Sequence, residues 1–375
     1  MGQARRARVG VGAVDVTDVV RDVVALHATD PATVHLSVAA RAADPLAAMA
    51  ALDTALYGEP PALTRMLAMR RTMFVVDRDF APQVYAAAGR RVTVKMRKDV
   101  LTFLADGGGW DAAWLADLEA EVVATLAAHP DSSGAQLSRL VPRLREQVVV
   151  ARGKPYEATQ NIASRVIRLM AAEGRIERRR PAGSWISGQF RWANAEPLPE
   201  VPEEPARAAL ARAWLRAYGP GTEADLKWWT GWGLGETRKA LAAAGAEAVV
   251  LDDGATAHAL PDAPAPATAD GAALLLPALD PLPMAWRDRG WFLPEGNEAL
   301  FDRSGNIGPT VWWDGEVIGG WGQRPDGEIA WRLLADRGPE AADAVERAAA
   351  RLAPALGPVR VTPRFRTPLE RELST

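Results

Sequence analysis

The stretch Thr159-Gln160-Asn161-Ile162-Ala163-Ser164-Arg165-Val166-Ile167-Arg168-Leu169-Met170-Ala171-Ala172-Glu173-Gly174 runs straight into Arg175-Ile176-Glu177-Arg178-Arg179-Arg180. Ile162, Val166, Leu169 and Met170 recur at helical spacing, which predicts a helix over 159–173. Gly174 stands where a helix end favours a left-handed residue. Residues 175–180 and 185–192 read as strands, turned by Pro181-Ala182-Gly183-Ser184. Upstream, Ser132 or Ser133 caps a helix carrying Leu137, Leu140, Val141 and Leu144, and 148–150 is strand-like. Helix, strand, helix and hairpin is the order of a winged helix. Arg165 and Arg168 fall on its recognition helix, and Arg178, Arg179 and Arg180 on its wing.

Charge agrees with a nucleic-acid partner. The stretch 139–180 holds 11 basic and four acidic residues, a balance of +7 in a chain of net charge −3. A basic face on an acidic chain is a common footprint for DNA, although a solvated helix gives the same count.

Working outward, 196–205 is a Pro-rich acidic linker. Helices over 206–218, 223–232 and 235–244, then a strand over 248–251, repeat the helix–turn–helix pattern, with Trp228, Trp229 and Trp232 assigned to its core. Residues 261–267 form another linker. Short strands over 273–277, 310–313, 316–320 and 329–334, with a turn at Asp314-Gly315, precede a helix over 340–352 and a strand over 359–362. On the N-terminal side, 17–56 reads as short helices, 72–76 as a strand, and 77–88 as a helix capped by Asp77 or Asp79. The basic run 90–98 leads into a further helical region, 106–109 is a loop, and Asp111 caps a helix to 128. The expected fold is α+β: tandem winged-helix units with a C-terminal small antiparallel β-barrel or sheet. The expected units are 1–130, 131–195, 206–260 and 268–375.

With 375 residues the chain exceeds one compact core. Hydrophobic content is 48%, ordinary for a globular protein, and no apolar run reaches the ~18 residues of a membrane span. The basic start at 1–8 lacks an apolar signal core. No cysteine is present, which excludes disulfides and thiolate zinc sites. Four scattered histidines, at 27, 35, 129 and 258, speak against a metal centre. No phosphate-binding loop, dinucleotide fingerprint or nucleophile elbow occurs, so no cofactor is expected. These features fit a cytoplasmic, nucleoid-associated protein.

Near the N-terminus, Leu26-His27-Ala28-Thr29-Asp30-Pro31 gathers an imidazole, a hydroxyl and a carboxylate. Thr17 is read as the cap of the helix before it. Asp30 and Pro31 read as N-cap and first residue of the helix after it, which places His27 and Thr29 at a helix–helix junction. A packed histidine beside a capping aspartate is the plain structural reading.

Several stretches carry a resemblance. They are 26–41, Ala68-Met69-Arg70-Arg71-Thr72-Met73-Phe74, Leu215-Arg216-Ala217-Tyr218-Gly219-Pro220, Trp228-Trp229-Thr230-Gly231, Leu276-Pro277-Ala278-Leu279-Asp280-Pro281, Trp286-Arg287-Asp288-Arg289 and 302–310. In this order they resemble the bacterial winged-helix DNA glycosylases of the AlkZ/YcaQ type. The resemblance implies tandem winged helices curved around DNA. The family's Gln-x-Gln or Gln-x-Asp motif falls at His27-Ala28-Thr29, which keeps neither glutamine. It implies a monofunctional glycosylase for cationic alkylpurines in double-stranded DNA, working as a monomer without cofactor or membrane.

The chemistry suits such a site. A purine alkylated at N7 or N3 leaves without a general acid, through an oxocarbenium-like transition state. His27 would accept the proton of the attacking water, and Thr29 would orient that water. Asp30 would stabilise the developing cation or simply cap its helix. An imidazole at its reference pKa of ~6.5 would lose activity in acid. The expected DNA contacts are Arg70, Arg71, Arg97, Lys98, Arg152, Lys154, Arg165, Arg168, Arg178, Arg179, Arg180 and Arg303. The competing reading is a winged-helix DNA-binding protein without catalysis.

Overall fold

Three aspartates open the N-terminal helices in the computed structural model, which describes residues 15–151, 153–263 and 271–375. Asp15, Asp30 and Asp44 each accept a backbone N–H two or three residues on, starting α1 (Val16–Asp22), α2 (Pro31–Ala39) and α3 (Pro45–Tyr57). The first cap is therefore Asp15 and not Thr17, whose amide and hydroxyl both donate to the Asp15 carboxylate. The basic start, part of the linker at 261–267, and Arg152 lie outside the described residues.

The expected helix–helix junction is instead a strand, β1 (Leu26–His27). It joins β2 (Leu63–Leu67) and β3 (Met73–Asp77) in an antiparallel sheet of order β1-β3-β2. The helix expected from 77 starts only at Ala81, because Asp77 ends β3 with its carboxylate 2.5 Å from Arg21 Nε. From there α4 (Ala81–Val84) passes through a π-helical turn, Tyr85–Gly89, into α5 (Arg90–Gly108). The basic run and most of the expected loop at 106–109 thus lie inside one helix, stopped by Gly109 at φ 71°. Asp111 caps α6 (Ala112–Ala128) as expected.

Next come β4 (Ser132–Ser133) and α7 (Gly134–Leu140), the latter opened by a Ser133–Gln136 capping box. Strand β5 (Gln147–Val150) pairs with β6 (Ala158–Asn161), so α8 (Ala163–Ala172) is shorter than its periodicity suggested. Asn161 ends the strand by accepting the Ala163 amide. Strand β7 (Ile176–Arg179) pairs with β8 (Arg191–Asn194), which also takes β4. The second strand begins at Arg191 and not at 185, since 180–190 folds into turns that include Gly183 at φ 82°.

Helices α9 (Glu203–Tyr218), α10 (Glu223–Thr230) and α11 (Leu234–Ala243) precede the hairpin β9 (Glu247–Val250) and β10 (Thr256–Ala259). The last sheet is β11 (Ala273–Leu276), β12 (Thr310–Trp313), β13 (Glu316–Gln323) and β14 (Ile329–Leu333), antiparallel in that order. Its outer strands do not pair, so the sheet is open and the alternative of a closed barrel is corrected. Asp314 and Gly315 have φ of 48° and 82°, as a tight two-residue hairpin turn demands. Helix α12 (Pro339–Leu356) covers the sheet, 359–362 forms no strand, and α13 (Pro368–Leu373) lies along β13.

Three larger cores result. One merges the N-terminal sheet, α9–α11 and part of the last sheet. A second joins α2 and α3 to α12 and the last sheet. The third belongs to α5–α8 with β7 and β8. Buried polar contacts tie the first core together. Arg41 grips Asp280 with two bonds of 2.7 and 2.8 Å, and the Tyr218 hydroxyl donates to Val23 O at 2.7 Å. Trp229 and Trp232 are in this core, but Trp228 is only partly buried.

Candidate active site

The pairing of β1 with β3 sets the site. His27 lies opposite Phe74, and the Ala28 amide donates to Met73 O at 2.8 Å. The strand ends at His27, and Thr29 lies in the bend that follows; both line one cleft of about 480 Å³. The backbone then turns under the Asp30 cap into α2.

His27 is 6% exposed and its ring meets Phe74 edge-on, with centroids 5.4 Å apart. Its Nδ1 is buried without a hydrogen-bond partner. Burial, and secondarily the Arg70 guanidinium, pushes its pKa down to about 3. The imidazole is therefore neutral in the folded chain at ordinary pH, well below the reference value expected from sequence. Protons are then taken up on unfolding. The stability linked to this group is fully present above pH ~6.5 and is lost as pH falls toward about 3. We expect the stability difference between the parent and His27→Leu to shrink by ~1.4 kcal/mol per pH unit across that window. Urea unfolding of both chains at several pH values measures it, and a difference independent of pH would contradict the neutral buried imidazole.

Asp30 has a different task. Its Oδ1 accepts the Ala32 amide and its Oδ2 the Arg364 amide, both at 3.0 Å. Both oxygens are committed to backbone, and Asp30 is not among the residues lining the cleft with His27. It caps α2 and ties the C-terminal segment to the motif.

Of the expected basic residues, Arg71, Arg168 and Arg178 line the cleft. Arg70 and Arg71 both occupy left-handed backbone, at φ 52° and 60°. Such residues carry roughly 1–3 kcal/mol of strain each and cluster at functional sites. Arg70 stacks over Trp228 at 4.0 Å, and Arg289 approaches the same ring at 5.3 Å. Trp228 thus packs against the core from its edge while its ring receives the two guanidinium groups.

The other expected contacts are placed elsewhere. Arg97 is held by Glu173 and Glu119. Arg179 faces Glu59, Glu177 and Asp131, and Arg180 pairs with Asp53. Arg165 stacks over Phe103 at 4.1 Å. Lys98, Lys154 and Arg303 are exposed and do not line the cleft. The cleft also contains Phe190, Asn306, Arg364 and Phe365, which sequence reasoning missed. Asn306 lies in the 302–310 stretch that carries the resemblance, whereas Arg364 and Phe365 have no local signal, because only the tertiary fold brings the C-terminal segment to His27.

The family model for AlkZ-like DNA glycosylases matches residues 20–355. The solved structure of the Streptomyces sahachiroi DNA glycosylase AlkZ superposes with a TM-score of 0.66 at 22% identity, covering 95% of this chain and 95% of that one. That likeness is one of fold. No curated protein sequence matches the chain.

Proposed function

Because the chain belongs to the AlkZ-like family of DNA glycosylases, we propose that it hydrolyses the N-glycosidic bond of cationic alkylpurines in duplex DNA with a water held by His27 and Thr29. The substrates are N7-alkylguanine and N3-alkyladenine, including bulky adducts. The observation that carries this reading is the neutral, mostly buried imidazole of His27, which lines one cleft together with Thr29.

The water oxygen attacks C1′ as the C1′–N9 bond breaks. The bond's electron pair leaves with the base, neutralising its positive charge, and the water's proton passes to His27. A base with a pKa of about 3 resembles a carboxylate in strength. That suffices when water is deprotonated late, after the leaving group has largely departed. Thr29 orients the water. Asp30, with both oxygens occupied, acts through position.

In this reading 131–195 and 206–260 are winged-helix units set between the motif-bearing 1–130 and the sheet-bearing 268–375, and the protein works as a monomer. Arg178 meets the backbone while Arg179 does not. Arg178→Ala should weaken binding to all duplexes alike, and Arg179→Ala should leave affinity nearly unchanged. Fluorescence anisotropy at matched salt measures both, and equal losses would place the whole wing on DNA.

The function itself is tested by incubating a duplex bearing one N7-methylguanine, then cleaving with alkali. Protein-dependent breakage at the lesion is expected. Binding without breakage would leave a non-catalytic DNA-binding protein.

A further inference from the structure

The cleft has an unusual charge pattern. Arg71, Arg168, Arg178 and Arg364 line it, and no aspartate or glutamate does. Three other arginines expected at DNA are already neutralised: Arg97, Arg179 and Arg180 are each paired with carboxylates. Three of the four cleft arginines have no carboxylate partner among the described residues. Arg178 has no carboxylate partner among the described residues and its Nε is buried without a hydrogen bond. Its guanidinium is held only by the faces of Phe190 and Trp192, at 4.8 and 5.7 Å. Among the described residues Arg168 donates to Ser164 O of its own helix and to no carboxylate. Arg71 has one exposed partner, Asp99, at 3.6 Å. The guanidinium of Arg364 has no carboxylate partner among the described residues, while its backbone is fixed by Asp30 Oδ2 at 3.0 Å.

Of the four, Arg178 is part-buried, and a part-buried cation kept without a counterion is costly unless an anion arrives; Arg71, Arg168 and Arg364 are exposed and free to reach one. The four cations come from separate elements: the β2–β3 turn, α8, β7 and the C-terminal segment. They converge on the cleft that holds His27 and Thr29.

We propose that Arg178 on one wall and Arg364 on the other, supported by Arg71 and Arg168, clamp two neighbouring backbone phosphates, those flanking the nucleotide whose sugar faces His27. Asp30 sets the Arg364 arm, so the capping carboxylate links the motif to the clamp. Guanidinium groups suit this task through their fork of donors. The proposal deepens the function above and rests on duplex DNA being the substrate.

The test uses Arg364→Ala and Arg364→Lys, since Arg364 is exposed and its replacement leaves the cores intact. Affinity for an undamaged duplex is measured between roughly 50 and 200 mM salt. The slope of log affinity against log salt should become shallower by about 1 for Arg364→Ala and stay at the parent value for Arg364→Lys. A methylphosphonate scan around a tetrahydrofuran abasic analogue then locates the contact. Two neighbouring neutralised positions should weaken the parent, and one of them should become silent in Arg364→Ala. An unchanged slope, or a scan with no such position, would overturn the clamp. Excision of N7-methylguanine, run in parallel, separates the two ideas. Excision with an unchanged slope removes the clamp and leaves the glycosylase. A shallower slope without excision keeps the clamp and removes the catalytic reading.

Discussion

Asp280→Ala is expected to destabilise the chain by about 3–5 kcal/mol, a large part of the total stability of an ordinary domain. Asp280 is fully buried and Arg41 nearly so, and the two share a double hydrogen bond. Arg41 also donates to Ser37 O, which cannot neutralise its charge. Removing the carboxylate strands a guanidinium inside the core that joins the N-terminal elements to the C-terminal sheet. Replacing both partners with apolar residues of similar size, Arg41→Met with Asp280→Leu, should recover most of the loss. Urea unfolding midpoints of the three chains check this. An Asp280→Ala chain with the parent's midpoint would mean that Arg41 finds another partner.

Local signals were legible where a feature is made by neighbours in sequence. Asp30 and Asp111 each cap the helix expected of them, and Asp314-Gly315 makes its turn. Features made by distant partners were not. Strand β1 has two residues and exists because β3 offers it a ladder. Strand β6 begins with a run that reads as helix by periodicity, yet pairing with β5 wins. A barrel and an open sheet share the same strand pattern, and closure depends on whether the outer strands meet.

The site was half legible. His27 and Thr29 were singled out from their chemistry, and both line one cleft. Their charge environment could not be read locally. The set of expected DNA contacts treated Arg97, Arg178 and Arg179 alike. Their roles differ because Glu119 and Glu59, far off in sequence, reach two of them, and among the described residues no carboxylate pairs with Arg178. The burial that keeps His27 neutral is likewise a property of packing against Phe74 and the elements around it.

His27→Ala carries the largest expected effect on activity. A positioned base contributes roughly 10²–10⁴-fold, so excision should fall by that factor while DNA affinity stays nearly intact, since neutral His27 adds no charge for a phosphate. Thr29→Ala should cost less, because a hydroxyl orients water without taking its proton at neutral pH. Replacing a buried imidazole also lowers stability, so rate and folding have to be read together. The deciding measurement is single-turnover release of N7-methylguanine from duplex DNA by the His27→Ala chain, at saturating protein and well below its own melting temperature. The account predicts a folded, DNA-bound protein whose rate is at least ~10²-fold below the parent's. A folded His27→Ala protein that releases the base at the parent rate would contradict it.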